Sequence, residues 1–122
     1  MMNKQELLTN LAHFSGTDRY YPHQALNILL SLTDGCLYLR AKANCFWLFD
    51  IIASYQVLKK VREEGFQVYE LTVNHEQSSA KMVCSDGNDN ILQEQKIPYT
   101  NFPLDSIKIY FINGVAMLPS EY

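Results

Sequence analysis

The chain reads as an α+β protein in which N-terminal helices pack on one face of a four- to five-stranded, mainly antiparallel sheet. Three observations predict this class. Apolar residues recur at helical spacing in the first half, above all from Asp34 to Glu64. After Gly65 the period shortens to that of strands. Ser85-Asp86-Gly87-Asn88-Asp89 and Asn113-Gly114 then punctuate the second half with hairpin turns. With 122 residues, 48% of them hydrophobic, the chain is expected to be one domain that buries its core without disulfides or a structural metal.

Each element follows from local chemistry. Asn3 and Glu6 have the spacing of a capping box, and Leu7, Leu8, Leu11 and Phe14 share a helical face, so the first helix is expected over Lys4–Phe14 with Gly16 as its stop. Gly16 to His23 mixes turn formers with Tyr20, Tyr21 and Pro22, and predicts an irregular loop. Ile28–Leu32 is a short apolar run, readable as a strand that leads into a turn or helix start at Thr33-Asp34-Gly35. From Asp34 to Glu64 two helices are expected, divided near Ala43-Asn44, with Asn44 capping a second helix over Cys45–Glu64. Projected at 100° per residue, Trp47, Asp50 and Ser54 of that helix fall on the side of Val57 and Val61, so Asp50 should point inward. A bend at Ala53-Ser54 would undo the projection.

The second half predicts an antiparallel meander. Phe66–Val73 is rich in β-branched and aromatic residues, Ala80–Cys84 alternates, and Asn90–Ile97 returns from the turn at Ser85–Asp89. Pro98 and Pro103 bracket a loop. Ile107–Ile112 alternates again and passes through Asn113-Gly114 into Val115–Leu118.

Composition excludes several functions. A net charge of −3 gives no basic footprint for nucleic acid or an anionic membrane, and Lys59, Lys60 and Arg62 are offset at once by Glu63 and Glu64. No apolar run approaches the roughly 20 residues that span a bilayer, and Asp50 interrupts the longest. Cys36, Cys45 and Cys84 are odd in number and form no Cys-x-x-Cys pair, so reduced, buried thiols are expected. Met1-Met-Asn-Lys-Gln-Glu6 lacks the pattern of a secretory signal, which makes a cytoplasmic location the expectation. No motif for a cofactor, a metal or a phosphate loop occurs, and Asp86-Gly-Asn-Asp89 is too short for a calcium loop.

One residue stands out. Asp50 is the lone charge in Cys45-Phe-Trp-Leu-Phe-Asp-Ile-Ile-Ala53, and a desolvated carboxylate requires a partner or a purpose. It is a structural group bonded to backbone N–H groups or to Arg40 or Arg19, an acid or base in a pocket, or part of a partner interface; satisfied structural groups are the commonest case. The Gly16–His23 loop supplies further candidates for a catalytic or binding role in Tyr20, Tyr21 and His23, against the plainer reading that tyrosines beside a proline pack a loop onto the core. His75 and Cys84 lie on neighbouring predicted strands and could meet as a Cys-His pair, without any visible third residue.

Phe14-Ser-Gly-Thr-Asp-Arg-Tyr-Tyr21, Leu32-Thr-Asp-Gly35, Trp47-Leu-Phe-Asp-Ile-Ile-Ala-Ser-Tyr-Gln56, Phe102-Pro-Leu104 and Val115-Ala-Met-Leu-Pro-Ser-Glu-Tyr122 resemble a family of small bacterial proteins of unknown function, also met in cyanobacteria, phages and plasmids. That resemblance implies a single domain, no assigned catalytic residue, and an accessory role on mobile elements. The expected function is thus a non-enzymatic module that binds a protein partner or self-associates, through an exposed sheet edge or the Tyr20-Tyr21 loop. The alternative is a small enzyme or ligand binder with a pocket formed by Asp50, His23 and Tyr20 or Tyr21.

Overall fold

The computed structural model describes residues 3–122. α1 (Lys4–Leu11) starts where the capping pattern places it. Asn3 Oδ1 accepts from the Glu6 backbone N–H at 2.8 Å, and the Asn3 side-chain amide donates to Glu6 Oε1 at 2.6 Å, so the reciprocal arm of the box reaches the cap's side chain instead of its backbone. His13 and Phe14 bond three residues back, to Asn10 and Leu11, and this tighter turn ends the helix before the expected Phe14.

The expected Gly16–His23 loop gives its last residues to a strand. β1 (Tyr21–Ala25) and β2 (Ile28–Leu32) form a hairpin across Leu26-Asn27, whose φ angles of 53° and 62° are both left-handed. Such a turn matches strand twist, but leucine is a rare choice for it, so no turn signal showed in the sequence. Pro22 is tolerated because β1 is an outer strand.

α2 (Asp34–Lys42) is capped by the Thr33 hydroxyl, which accepts from the Cys36 N–H. Asn44 does not cap the next helix. It takes a φ of 50° just after α2, and α3 (Phe46–Tyr55) starts behind Cys45 without a side-chain cap. The expected single helix over Cys45–Glu64 is two: Gln56-Val57-Leu58 separates α3 from α4 (Lys59–Arg62). That break resets the helical phase. Val61 is buried, Val57 is exposed, and the buried side of α3 is Leu48, Phe49, Ile52 and Ala53. Asp50 therefore faces outward, against the projection from Val57 and Val61.

The strands of the second half fall as expected: β3 (Phe66–Asn74), β4 (Ser79–Ser85), β5 (Ile91–Ile97), β6 (Ser106–Ile112) and β7 (Val115–Met117), followed by a 3₁₀ turn at Pro119–Glu121. The sheet is larger than predicted and mixed. Its order is β1-β2-β7-β6-β3-β4-β5, seven strands, with β2 and β7 parallel. The β1–β2 hairpin joins the meander because the Ser31 and Thr33 N–H groups donate to the Gly114 and Ala116 carbonyls at 2.9 and 3.1 Å.

One sheet face is apolar. Tyr69, Leu71, Met82, Ile109 and Phe111 are buried in one cluster with the inner residues of α2 and α3. Glu70, Thr72, Lys81 and Lys108 stay exposed on the other face. Strand twist curls the sheet around α3. The helix packs on β1 at one edge, and its Tyr55 hydroxyl donates to Gln95 Oε1 of β5, the opposite edge, at 3.2 Å.

Candidate functional site

The outward stripe of α3 forms the floor of a groove between the two sheet edges. Trp47, Ile51 and Gln95 line two adjoining lobes. One lobe, of about 430 Å³, adds Ala25, Leu26, Asp50 and Ser54; the other, of about 390 Å³, runs toward Lys96, Tyr99 and Thr100. The Trp47 ring is held edge-on by Phe102, with centroids 6.1 Å apart.

Asp50 is braced from beneath. Alternation along β1 turns His23 inward while Pro22 and Gln24 face out. Its Nε2 lies 2.7 Å from Asp50 Oδ1, and an Arg40 guanidinium nitrogen lies 2.8 Å from its Nδ1. The Arg40 guanidinium also sits over the Phe46 ring, 4.4 Å from its centroid. These contacts fix the tautomer: a guanidinium only donates, so Nδ1 must accept and Nε2 carries the proton given to Asp50. His23 is thereby a neutral spacer between a cation and an anion. The His23 side chain is 4% exposed and that of Asp50 53%, so the carboxylate opens to the groove while its brace is enclosed.

Asp50 and His23 thus converge, as the ligand-binding alternative requires. The tyrosines do not join them. Tyr20 is largely exposed and lines neither lobe. Tyr21 bonds to Asp34, which raises the pKa of its hydroxyl, and this places it in a second cluster at the start of α2. There the Asp18 N–H donates to Asp34 Oδ2 at 2.9 Å and the Asp34 N–H donates to Thr17 Oγ1 at 2.8 Å; the Asp18 bond is the main reason the Asp34 carboxyl titrates below its usual range. Glu121 completes the cluster from the other end of the chain. Its carboxylate accepts from Thr33 Oγ1 at 2.6 Å, from the Gly35 N–H at 3.0 Å and from the Leu118 N–H at 3.0 Å. Sequence reasoning missed this arrangement, although a glycine in the first turn of a helix is a signal of close approach.

Two expected contacts fail. Arg19 and Arg40 do not bond Asp50 directly, because the β1 imidazole takes that place. Cys84 lies opposite Tyr69 in the register, whereas His75 sits beyond the far end of β3 and bonds Asp105 at 3.0 Å, so no Cys-His pair forms. All three cysteines are buried free thiols, and burial pushes Cys84 up to about 11, Cys45 up to about 12 and Cys36 higher. A buried amide network also went unforeseen. The Gln56 side-chain amide donates to Gln67 Oε1 at 2.9 Å and to the Tyr69 hydroxyl at 2.7 Å, and the Gln67 amide donates to the Val61 carbonyl at 2.7 Å, tying α3 and α4 to β3.

Residues 5–122 match the model of DUF6876, a family of unknown function. The chain belongs to that family. No curated protein and no solved structure matches it. In this DUF6876 protein the stretches quoted for the resemblance gather in two places. Phe14–Tyr21, Leu32–Gly35 and Val115–Tyr122 meet around the start of α2. Trp47–Gln56 and Phe102–Leu104 build the floor and support of the α3 groove.

Proposed function

We propose that the protein is a non-enzymatic module that holds an extended segment of a protein partner in the groove along α3. The observation that carries this reading is the engagement of His23: both ring nitrogens are taken, by Asp50 and Arg40, beside an open apolar groove. An imidazole acts as a general base through a free nitrogen facing its substrate, and a thiol acts as a nucleophile where it is accessible and ionisable. The imidazole has no free nitrogen, and the thiols are buried and hard to ionise. A rim residue supports binding instead. Leu26 holds a left-handed conformation at a hairpin tip with 67% of its surface exposed, beside the Asp50 lobe. Strain of this kind in an apolar residue on a groove rim fits a contact residue.

Photo-crosslinking tests the proposal. A benzophenone amino acid placed at Gln95 in the full chain, expressed in the native host, is expected to yield one dominant protein adduct that Ile51→Glu suppresses. An adduct with a second copy would make the module self-associating. No adduct, or adducts indifferent to Ile51→Glu, would sink it. The ligand-binding alternative keeps one observation in its favour: the Asp50 lobe, at about 430 Å³, has the volume of a small-molecule site.

A further inference from the structure

We infer that the Asp50 lobe is the subsite for a lysine or arginine side chain of the bound segment, an inference that rests on the proposed groove function. Among the described residues, Asp50 is the one charged side chain that lines this lobe. Its Oδ1 accepts from His23, and among the described residues its Oδ2 has no partner. Among the described residues no lysine or arginine bonds this carboxylate directly. The nearest cation in the chain of contacts, Arg40, is held on the far side of the imidazole and bonds its other nitrogen. A neutral N–H donor steadies the carboxylate without neutralising it, so a cation entering from the groove meets a full charge with one oxygen free.

The rest of the lobe suits the body of such a side chain. Trp47, Ile51, Ala25 and Leu26 offer apolar surface beside the carboxylate. Lysine and arginine bury an aliphatic stem along such surface while the charged head reaches a polar partner. The adjoining lobe adds polarity. Among the described residues its one charged lining residue is Lys96, on β5, which repels a second cation and confines the basic residue to the Asp50 end. A segment with one basic residue followed by apolar or acidic ones fits this order of charges. Specific recognition by charge complementarity of this kind also rejects acidic side chains at Asp50.

The protein carries its own reporter, since Trp47 is its single tryptophan and lines both lobes. The full chain is titrated with acetyl-Leu-Arg-Leu-amide, with the same peptide carrying the neutral isostere citrulline, and with free agmatine, following Trp47 emission. The arginine peptide is expected to give a saturable shift, the citrulline peptide to bind about tenfold more weakly, a loss equal to about 1.4 kcal/mol, and agmatine to bind more weakly than the arginine peptide. Asp50→Asn, which keeps an acceptor for His23, is expected to erase the difference between the two peptides. Equal binding of arginine and citrulline peptides by the unsubstituted chain, or no response to the arginine peptide at millimolar concentration, overturns the inference. So does a preference that survives Asp50→Asn. Agmatine binding as tightly as the peptide would overturn it in favour of a free-cation site. An intact crosslink at Gln95 alongside any of these results would leave the groove function standing and remove the basic subsite alone.

Discussion

Asp50 shows how far one residue can be read. A carboxylate within an apolar run had to find a partner, and it did, but the partner is His23 with Arg40 behind it. Arg40 was visible as a candidate cation. The intervening imidazole was not, because His23 reaches Asp50 only through the packing of β1 on α3, 27 positions apart in sequence. The roles imply unequal costs. Asp50→Ala leaves the enclosed His23 N–H without its acceptor and should cost about 1–3 kcal/mol in urea unfolding, whereas Asp50→Asn keeps the acceptor and should cost less than about 1 kcal/mol. Equal losses would mean that charge, not the hydrogen bond, holds the contact. Leu26 makes the opposite prediction: Leu26→Gly relieves a left-handed backbone and should raise stability by up to about 1 kcal/mol while weakening binding of the arginine peptide.

At the scale of elements, the start of α2 is held by Glu121, which joins the helix to the segment after β7. A Cβ on Gly35 would lie 2.6 Å from both Glu121 Oε1 and a Leu118 methyl, so the ends of those two side chains would have to shift. Gly35→Ala should therefore push the Glu121 carboxylate off its Thr33 and Gly35 hydrogen bonds and lower stability by about 1–3 kcal/mol. Glu121→Ala should also destabilise, and the double variant should cost less than the sum, since both changes break one contact; strict additivity in a double-mutant cycle would contradict the coupling. The cap residue Thr33 and the glycine were both in plain view in Leu32-Thr-Asp-Gly35. Their counterpart lies 86 residues beyond Gly35, and no local pattern links them. The break after α3 was hidden for a different reason. Gln56-Val57-Leu58 contains no glycine or proline, and Gln56 leaves the helix pattern to bond Gln67 and Tyr69 on β3.

For the whole molecule, the ionisable groups whose pKa values shift on folding set the pH range of stability. The three thiols have folded pKa values raised by burial, so their contribution is complete below the unfolded value, roughly 8.5, and is lost as pH rises toward about 11 for Cys84 and about 12 for Cys45. Urea midpoints should fall from pH ~8.5 upward, and Cys84→Ala should flatten that slope. Below neutrality the sign reverses. Asp34, Asp86 and Asp105 are held low chiefly by the Asp18 N–H, the Asn90 side chain and Lys4 respectively, so their contributions exist above the ordinary carboxylate range and fade as pH falls below ~4. A midpoint that stayed flat from pH 8 to 11 would show that the thiols ionise freely in the folded state.

What the sequence determined by itself was local: α1 with its cap, the start of α2, the five strands after Gly65 and their turns, and the oddity of Asp50. Period, cap and turn chemistry act over a few residues and can be read from them. The tertiary structure alone decided the seven-stranded mixed sheet, the outward turn of Asp50, its His23 and Arg40 support, and the Glu121 contact with α2. Each of these depends on backbone or side-chain partners far apart in sequence. Their pairing follows from the whole core finding one arrangement that buries its apolar faces and satisfies its polar groups, a condition no single segment contains.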